Sequence, residues 1–380
     1  MYITRQNFTP QNVFLFTNLI SIFAWLFPDF GFLRKGFTEQ YPILSLSGIA
    51  YPVIIIFFYG MIWLGYHLIS EKNRYDNDEE VILISDKVYI TSVVISLIGL
   101  CATFLVIIKS LSLAEIINIY SSGTANALKE TLYENYSIGL VSLRYCVILS
   151  GGFVIYRRLM GRKRLLIDIL AIISLLGVSM ISSRLTLIAG VFGGIYLYIF
   201  SKKKIRIKIL KLSIVLVIGF MLLAVLNWSR NSNFYESKGL SFLSAGFSEI
   251  LTYVGTPVQG ALYAISNPDT SAENYMRFYN ESTIELSLTT NSAIIDVIRM
   301  FGISGIFISA AILFFAGMYI SFFEKFKSGK YIYCNIAIFY SVTEFWRIFI
   351  FFKGIMLTLI FVSFLLAVFS RLNFKKNRGA

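Results

Sequence analysis

Long apolar runs alternate with short polar or charged segments along most of the chain, and this pattern predicts an all-α membrane protein. A helix needs roughly 20 apolar residues to cross about 30 Å of hydrocarbon. Ten runs approach that length, so we predict about ten transmembrane helices. They are Gln11–Pro28, Ile43–Ile69, Val88–Ile108, Ile138–Tyr156, Leu165–Ser182, Leu185–Ser201, Ile209–Asn227, Ser292–Phe322, Tyr331–Ile350 and Gly354–Ser370.

The longest polar stretch, residues 228–291, separates the seventh span from the eighth. Loops of this length are usually functional or disordered, and its many aromatic residues favour a folded loop. Ser244–Ile265 has the pattern of an amphipathic helix, with a predicted break at Gly255-Thr256-Pro257. We therefore predict one polytopic membrane domain, residues 1–380, with residues 228–291 as a large external loop packed on the bundle.

Composition supports a membrane protein and excludes several classes of function. Hydrophobic residues make up 57% of the chain and charged residues 14%, whereas soluble domains carry roughly 25% charged residues. The single histidine, His67, excludes mechanisms that need two, and we interpret it as structural. The three cysteines lie within apolar runs, which favours small core residues over disulfides or a metal site.

The net charge of +13 reports orientation in the membrane. Cytoplasmic loops hold the excess of Lys and Arg, and the richest segments here are 157–164 and 202–208, two spans apart. Placing them in the cytoplasm puts both termini there and divides the 34 cations into 22 inside and 12 outside. The basic balance therefore gives no reason to expect a nucleic-acid partner.

Arginine is enriched on the predicted outer side, where seven of the 12 cations are Arg, against nine of 22 inside. A guanidinium binds phosphate through a planar two-pronged fork, whereas an ammonium acts as a point charge. Charged groups within or at the edge of spans are costly and suggest functional sites. The outer arginines therefore predict an anionic ligand, with phosphate as the natural candidate.

Two candidate arginines lie where spans meet the outside. Arg184 opens a span in Ser182-Ser183-Arg184-Leu185-Thr186, where its charge adds to the N–H groups of a helix N-terminus. Arg230 follows Asn227-Trp228-Ser229 at the start of the large loop. For both, the alternative is a side chain that reaches the lipid headgroups.

The remaining charged candidates have structural alternatives as well. Asp296 and Arg299 have i, i+3 spacing, so they share a helical face and either pair or bind ligand. Glu344 and Arg347 flank the last outer turn, as does Lys353, and a structural ion pair is an equal alternative there. Arg144 lies too deep in the fourth span to reach the headgroups easily.

Several chemistry-bearing motifs are absent from the sequence. It contains no Gly-x-x-x-x-Gly-Lys-Ser/Thr phosphate loop, no His-Glu-x-x-His, no Gly-x-Ser-x-Gly and no Asp-x-Asp pair. ATP hydrolysis, zinc chemistry and direct use of a nucleotide-sugar are therefore disfavoured, and we predict neither a metal nor a cofactor. An enzyme of this kind would draw its energy from an activated lipid-phosphate donor.

The layout resembles the O-antigen and capsule polymerases of the Wzy type. The resemblance rests on the Ser-Ser-Arg-Leu-Thr turn, the Arg just before a large external loop, and Asp-Val-Ile-Arg-Met-Phe-Gly-Ile-Ser-Gly opening the next span. It implies a GT-C-like bundle in the bacterial cytoplasmic (inner) membrane. It also implies a metal-independent glycosyltransferase that moves a growing glycan from undecaprenyl pyrophosphate onto a new lipid-linked repeat unit at the outer face.

The resemblance also implies roles and partners. Arg184, Arg230 and Arg299 would stabilise the pyrophosphate. The missing loop histidine leaves the base unassigned: Asp296 or a loop glutamate such as Glu249 would serve, or deprotonation is late and needs little help. The predicted substrate-binding residues are Arg144, Arg277, Arg347, Glu344 and Tyr253. A chain-length regulator and a flippase are implied partners. The alternatives are a flippase for the same lipid-linked oligosaccharide and an O-antigen ligase.

Overall fold

The computed structural model describes residues 2–5, 7–26, 45–69, 84–121, 139–181, 184–202, 204–206, 209–237, 239–268, 292–325 and 329–376. These ranges are helical apart from short connections and one two-stranded antiparallel ribbon. The helices are α1 (Pro10–Leu26), α2 (Leu46–Leu68), α3 (Asp86–Ser110), α4 (Leu113–Ser121), α5 (Val147–Leu159), α6 (Leu165–Ile181), α7 (Arg184–Ser201), α8 (Ile209–Ser237), α9 (Phe242–Ser266), α10 (Ala293–Phe301), α11 (Ser304–Lys325), α12 (Asn335–Glu344) and α13 (Gly354–Lys376). Short 3₁₀ helices, Leu140–Cys146 and Ile332–Cys334, lead into α5 and α12.

The prediction of an all-α membrane protein is confirmed at this level. Five described segments are long and apolar enough to cross a membrane: Leu46–Leu68, Asp86–Ser110, Leu140–Leu159, Ser304–Lys325 and Gly354–Arg371. Three shorter apolar helical segments are Leu165–Ile181, Leu185–Ser201 and Val217–Ser229. The total of ten spans, the GT-C-like arrangement and the external position of the large loop stay predictions.

Two predicted spans differ from the helices that form. Residues 292–322 do not make one long helix, because Gly302 adopts a positive φ of 58° that ends α10 before α11 begins. Residues 331–350 hold the short 3₁₀ helix Ile332–Cys334 and the ten-residue α12, which together are about 21 Å long. Backbone turns follow it up to α13, so this segment does not cross a membrane as one helix.

The amphipathic helix predicted in the large loop is present as α9, but the predicted break is wrong. Pro257 lies inside the helix, and residues 255–262 are all buried. A proline removes one backbone hydrogen bond and crowds the preceding turn. Packing against α1 supports the backbone here, because the Ser21 hydroxyl donates to the Val254 carbonyl at 2.6 Å and Trp25 Nε1 donates to Gln259 Oε1 at 3.1 Å.

Close packing of α2 on α11 forms the largest contact between two helices of the described chain. Gly65 and Gly317 sit where the backbones meet. A Cβ atom at Gly65 would lie 2.0 Å from the Phe314 carbonyl oxygen, and one at Gly317 would lie 2.5 Å from the Ile62 carbonyl oxygen. Small residues are what let helices in membranes approach this closely.

The N-terminal strand and the chain after α7 meet at one end of the molecule. β1 (Tyr2–Thr4) pairs antiparallel with β2 (Lys204–Arg206). Glu324, near the end of α11, accepts hydrogen bonds from Tyr66 and from Tyr196 of α7 at this end. We call this the ribbon end. The start of α11 lies about 30 Å away along the helix axis.

Candidate functional site

Helix α10 carries the Asp296–Arg299 pair on a rigid support. Ser292 caps the helix by accepting a hydrogen bond from the Ile294 N–H at 3.2 Å. The apolar face of the helix is buried, whereas Asp296 and Arg299 are half-buried on the other face. The two charged side chains therefore lie at the edge of the core, as their i, i+3 spacing predicted.

The turns that connect α12 to α13 pack against α10. The Phe349 N–H donates to Asp296 Oδ2 at 3.3 Å, which joins two segments that are 53 residues apart in the sequence. This contact brings the turns after α12 next to the helix that carries Arg299. We call Asp296, Arg299, Glu344, Arg347 and Lys353 the α10–turn cluster.

Three cations and two carboxylates give the α10–turn cluster a formal charge of +1. Burial raises the pKa of the Asp296 carboxyl above its ordinary value, while the charge of Lys353, the Phe349 N–H and the charge of Arg299 act in the opposite direction. Within the described chain, no cation lies within ion-pair distance of the Asp296 carboxylate. Lys353 and Arg299 therefore act on the Asp296 carboxyl through their charges rather than through a direct ion pair.

Glu344 and Arg347 form the direct ion pair of the cluster. Arg347 Nε donates to Glu344 Oε2 at 2.5 Å, and the Tyr340 hydroxyl donates to Glu344 Oε1 at 2.6 Å. Glu344 is buried, and the Arg347 guanidinium also lies 5.9 Å from the Trp346 ring centroid. The structural ion pair that the sequence offered as an alternative is therefore present. It holds the Arg347 side chain against Glu344.

Arg144 is almost completely buried, although it lies close to the start of an apolar segment. The residue is 3% exposed and lies in the 3₁₀ helix that precedes α5. Its Nη1 donates to the Val141 carbonyl at 3.2 Å and its Nη2 to the Tyr145 hydroxyl at 2.9 Å. It therefore stands apart from the α10–turn cluster in its contacts.

The other predicted residues are placed by their backbones alone. Arg184 is the first residue of α7, as predicted, while Arg230 lies inside α8, which continues to Ser237 instead of ending before the loop. Glu249 and Tyr253 lie on α9. The side chains of these four residues and the whole of Arg277 lie outside the described part, so the meeting of Arg184 and Arg230 with Arg299 stays a prediction.

Lys353 was noticed in the sequence beside Glu344 and Arg347 but was not placed among the predicted site residues. Its charge acts on Asp296 across the contact between the turns and α10. Its approach to α10 depends on the fold of the turns, which no sequence pattern gave.

A second charged cluster joins α3, α5 and α6 at the ribbon end. Asp86 accepts from Arg157 and from Arg164, each at 2.5 Å. Asp168, which is fully buried, accepts from Arg158 Nε at 2.7 Å, the Tyr89 hydroxyl at 2.7 Å and the Arg164 N–H at 3.1 Å. We call these residues the α3–α6 cluster. The Ser201 hydroxyl donates to Met160 Sδ at 3.4 Å. Because Met160 follows α5 and β2 follows Ser201, the α3–α6 cluster lies at the ribbon end.

Neither a metal site nor a histidine site appears in the ranges that the structure covers. No group of three or more His, Cys, Asp or Glu side chains there is arranged to hold a metal ion. His67 is near the end of α2, with Nδ1 2.9 Å from the Trp63 carbonyl oxygen and its ring against Trp63. Its contacts are local ones within α2.

Comparisons with known proteins give no relative for this architecture. No family model matches the chain, and no curated protein or solved structure matches it either. The chemistry of the site must therefore be argued from the arrangement of its own residues.

Proposed function

We propose that the chain is a membrane polysaccharide polymerase of the Wzy type. It would transfer a growing glycan from undecaprenyl pyrophosphate onto a new lipid-linked repeat unit at the outer face of a bacterial cytoplasmic membrane. The observation that carries the proposal is the contact of the Asp296–Arg299 helix with the turns that hold Arg347 and Lys353. It assembles two carboxylates and three cations from two distant segments.

The charge of the α10–turn cluster suits a departing pyrophosphate. When the acceptor hydroxyl oxygen bonds to the anomeric carbon, the bond from that carbon to the pyrophosphate oxygen breaks and the electron pair leaves with the pyrophosphate. Fixed cations in a site shielded from water stabilise the charge that develops there, which is often the largest contribution to catalysis. Arg299 and Arg347 offer the fork geometry that phosphate oxygens accept.

Asp296 is the described group best suited to take the proton of the acceptor hydroxyl. Burial raises the pKa of its carboxyl, which makes the carboxylate a stronger base than a solvated aspartate. Lys353 and the Phe349 N–H keep part of the ionised form. The balance needs no metal and no cofactor, because the lipid pyrophosphate bond supplies the driving force.

The decisive experiment supplies purified lipid-linked repeat units to the purified protein in proteoliposomes. We expect glycan of high molecular weight, measured by gel electrophoresis and mass spectrometry. Arg184→Ala, Arg230→Ala and Arg299→Ala should each abolish polymer while leaving expression intact, and Lys at these positions should rescue poorly. Normal polymer length and amount in all three variants would exclude the assignment.

The same vesicles distinguish the polymerase from its alternatives. Movement of the lipid-linked unit across the bilayer without elongation would identify a flippase. Transfer of the glycan to a lipid A-core acceptor, with no elongation of repeat units, would identify a ligase. Arg162→Ala is a matched control, because Arg162 is exposed and lies between α5 and α6, away from the α10–turn cluster. This variant should polymerise normally.

A further inference from the structure

The short helix α4 begins where the membrane-crossing helix α3 ends, away from the ribbon end. Asp86, the first residue of α3, belongs to the α3–α6 cluster, so Ser110 at the other end of the helix lies about 36 Å from it. Two residues connect Ser110 to α4. The first of them, Leu111, has an extended backbone with φ of −134° and ψ of 140°, so α4 does not continue the axis of α3.

Helix α4 packs across the ends of two helices instead of projecting away from them. Its Ile116 and Ile119 pack against a small core cluster formed by Ile107 of α3 and Ile181, the last residue of α6. A helix that continued outward from α3 would carry Ile119 about 18 Å beyond Ile107. The helix therefore lies at the level where α3 leaves the membrane.

The exposed side chains of α4 divide into an apolar side and a polar side. Leu113 and Ile117 are 72% and 61% exposed, and at about 100° per residue they lie about 40° apart around the helix axis. Glu115 is exposed about 180° from their midpoint, and Asn118 is exposed about 120° from it. One exposed side is therefore apolar, and the opposite side carries a carboxylate and an amide.

A capping box fixes the start of α4 and keeps its polar side charged. The Ser112 hydroxyl accepts from the Glu115 N–H at 3.3 Å, and the Glu115 carboxylate accepts from the Ser112 N–H at 2.7 Å. The Ser112 N–H and hydroxyl hold the pKa of the Glu115 carboxyl below its ordinary value. The carboxylate is therefore ionised at neutral pH, and its side of the helix belongs in water.

The apolar side of α4 continues a surface that faces lipid. Leu105 and Ile108, near the end of α3, are 69% and 59% exposed, and α3 is long and apolar enough to cross a membrane. Lipid is the medium that covers such side chains on a membrane-crossing helix. A helix that follows directly, with an apolar side opposite a charged one, has the pattern of a helix that lies in the plane of the interface.

We infer that α4 is an interfacial helix whose Leu113 and Ile117 insert among the lipids of the leaflet opposite the ribbon end. The occupant of this surface is bilayer lipid, rather than a second copy of the chain or another protein. A helix of nine residues is too short to be stable alone, so the packing of Ile116 and Ile119 holds it in place. The inference rests on α3, α4 and α6 and is independent of the proposed function.

Spin labels on single cysteines test which medium surrounds each side of α4. Cys101 is replaced by Ser, because it is the exposed cysteine of the three. The full-length protein then carries Leu113→Cys, Ile117→Cys or the matched control Asn118→Cys, in nanodiscs of phosphatidylethanolamine and phosphatidylglycerol. Electron paramagnetic resonance measures how often the label collides with oxygen, which concentrates in lipid, and with a neutral nickel chelate, which stays in water.

The expected result is opposite for the two sides. Labels at positions 113 and 117 should collide several times more with oxygen, relative to the nickel chelate, than the label at position 118. Frequent collision of the first two with the chelate would place them in water, and rare collision with both reagents would indicate burial by a second copy or another protein. Either result overturns the inference, as does a label at position 118 that is as inaccessible to the chelate as the other two.

Two glutamate variants test the insertion with the label kept on Ile117→Cys. Leu113→Glu places a carboxylate on the lipid side, so the collision rate with the nickel chelate should rise several-fold as that side moves into water. Asn118→Glu adds the same group on the polar side and should leave the rate unchanged. Both positions are exposed, so neither change disturbs the core. Equal rates in the two variants would contradict the inference.

Discussion

The α10–turn cluster and the α3–α6 cluster hold the same kinds of charge and arrange them differently. Each has three cations and two carboxylates, and about 30 Å of helix separates the two ends. In the α3–α6 cluster, both carboxylates are in direct ion pairs with arginine. In the α10–turn cluster, Glu344 is in a direct ion pair with Arg347, whereas Asp296 accepts the Phe349 N–H.

The difference lies in how the two buried or half-buried aspartates are held, and under the proposed function it separates a structural cluster from a binding one. Asp168 is fully buried and accepts from an arginine, a tyrosine hydroxyl and a backbone N–H, so its hydrogen-bonding capacity is met by the protein. Asp296 accepts one backbone N–H, and the cations around it act from beyond ion-pair distance. Two clusters of equal formal charge therefore differ in how their carboxylates are bound: Asp168 by an arginine in direct contact, Asp296 by a backbone N–H.

Breaking the α3–α6 cluster should have the largest effect. Asp168→Ala leaves Arg158, the Tyr89 hydroxyl and the Arg164 N–H without their shared acceptor. Removing one partner of a buried pair costs about 3–5 kcal/mol, which is a large part of the stability of most domains. We expect little or no monodisperse protein on size-exclusion chromatography in detergent. Lys163→Ala, an exposed change in the neighbouring loop, should purify normally.

Breaking the α10–turn cluster should separate activity from stability. Arg299→Gln removes a half-buried cation, and interactions of partly exposed charges contribute little, so the free energy of unfolding should change by about 1 kcal/mol or less. Polymer formation should fall about 10²–10³-fold, because a fixed charge on the leaving group is lost. The assay is the rate of glycan growth in proteoliposomes, with the unfolding midpoint measured on the same sample.

If Arg299→Gln and Asp168→Ala had the same effect, the distinction between a structural cluster and a binding cluster would be contradicted. If Arg299→Gln unfolded the protein as Asp168→Ala should, the α10–turn cluster would be structural. If it left both stability and polymer unchanged, the proposed role of Arg299 would be wrong.

The pH dependence should identify the base. Asp296 must be ionised to accept a proton, so the rate should fall as the pH drops through its pKa, which burial raises above the ordinary value. Asp296→Asn should slow polymer formation about 10²-fold and remove that acidic limb of the profile. An unchanged limb in the variant would transfer the role to another carboxylate, and Glu249→Gln is the next variant to measure.

The apolar pattern predicted the helices well and their ends poorly. Its runs match α2, α3 and α13 closely because each is one uninterrupted helix between polar caps such as Ser45 and Ser85. It merged α10 with α11, because hydropathy does not register the positive φ of one glycine. It also placed a break at Pro257, because it cannot see that α1 supports the backbone of α9 there.

The sequence predicted which residues belong to the candidate site, but not which of them are in contact. The i, i+3 spacing of Asp296 and Arg299 fixed their common face. The approach of the turns after α12 came only with the fold, because it depends on a hydrogen bond between segments 53 residues apart. The close packing of α3 on the 3₁₀ helix that carries Arg144 was hidden for the same reason, since it depends on Gly99 meeting the Arg144 backbone nitrogen.

The smallest expected effects compare two buried tyrosines that perform the same task. Tyr89 donates to Asp168 at 2.7 Å and Tyr340 donates to Glu344 at 2.6 Å. Tyr89→Phe leaves Asp168 with two other donors, so it should cost about 1 kcal/mol of unfolding free energy. Tyr340→Phe leaves Glu344 with Arg347 as its remaining donor in the described chain and should cost about 1.5–3 kcal/mol, the range for hydrogen bonds to charged groups.

The rate of polymer growth should distinguish the two tyrosine variants more clearly than the free energy of unfolding does. Tyr340 positions Glu344 and, through it, Arg347, so Tyr340→Phe should lower the rate of polymer growth while Tyr89→Phe leaves it unchanged at a temperature where both proteins are folded. Chemical denaturation in detergent gives the stability of each variant, and proteoliposome assays give the rate. Equal loss of activity in both would mean that the α3–α6 cluster also serves the reaction, and the contrast between the two ends would then be one of pairing alone.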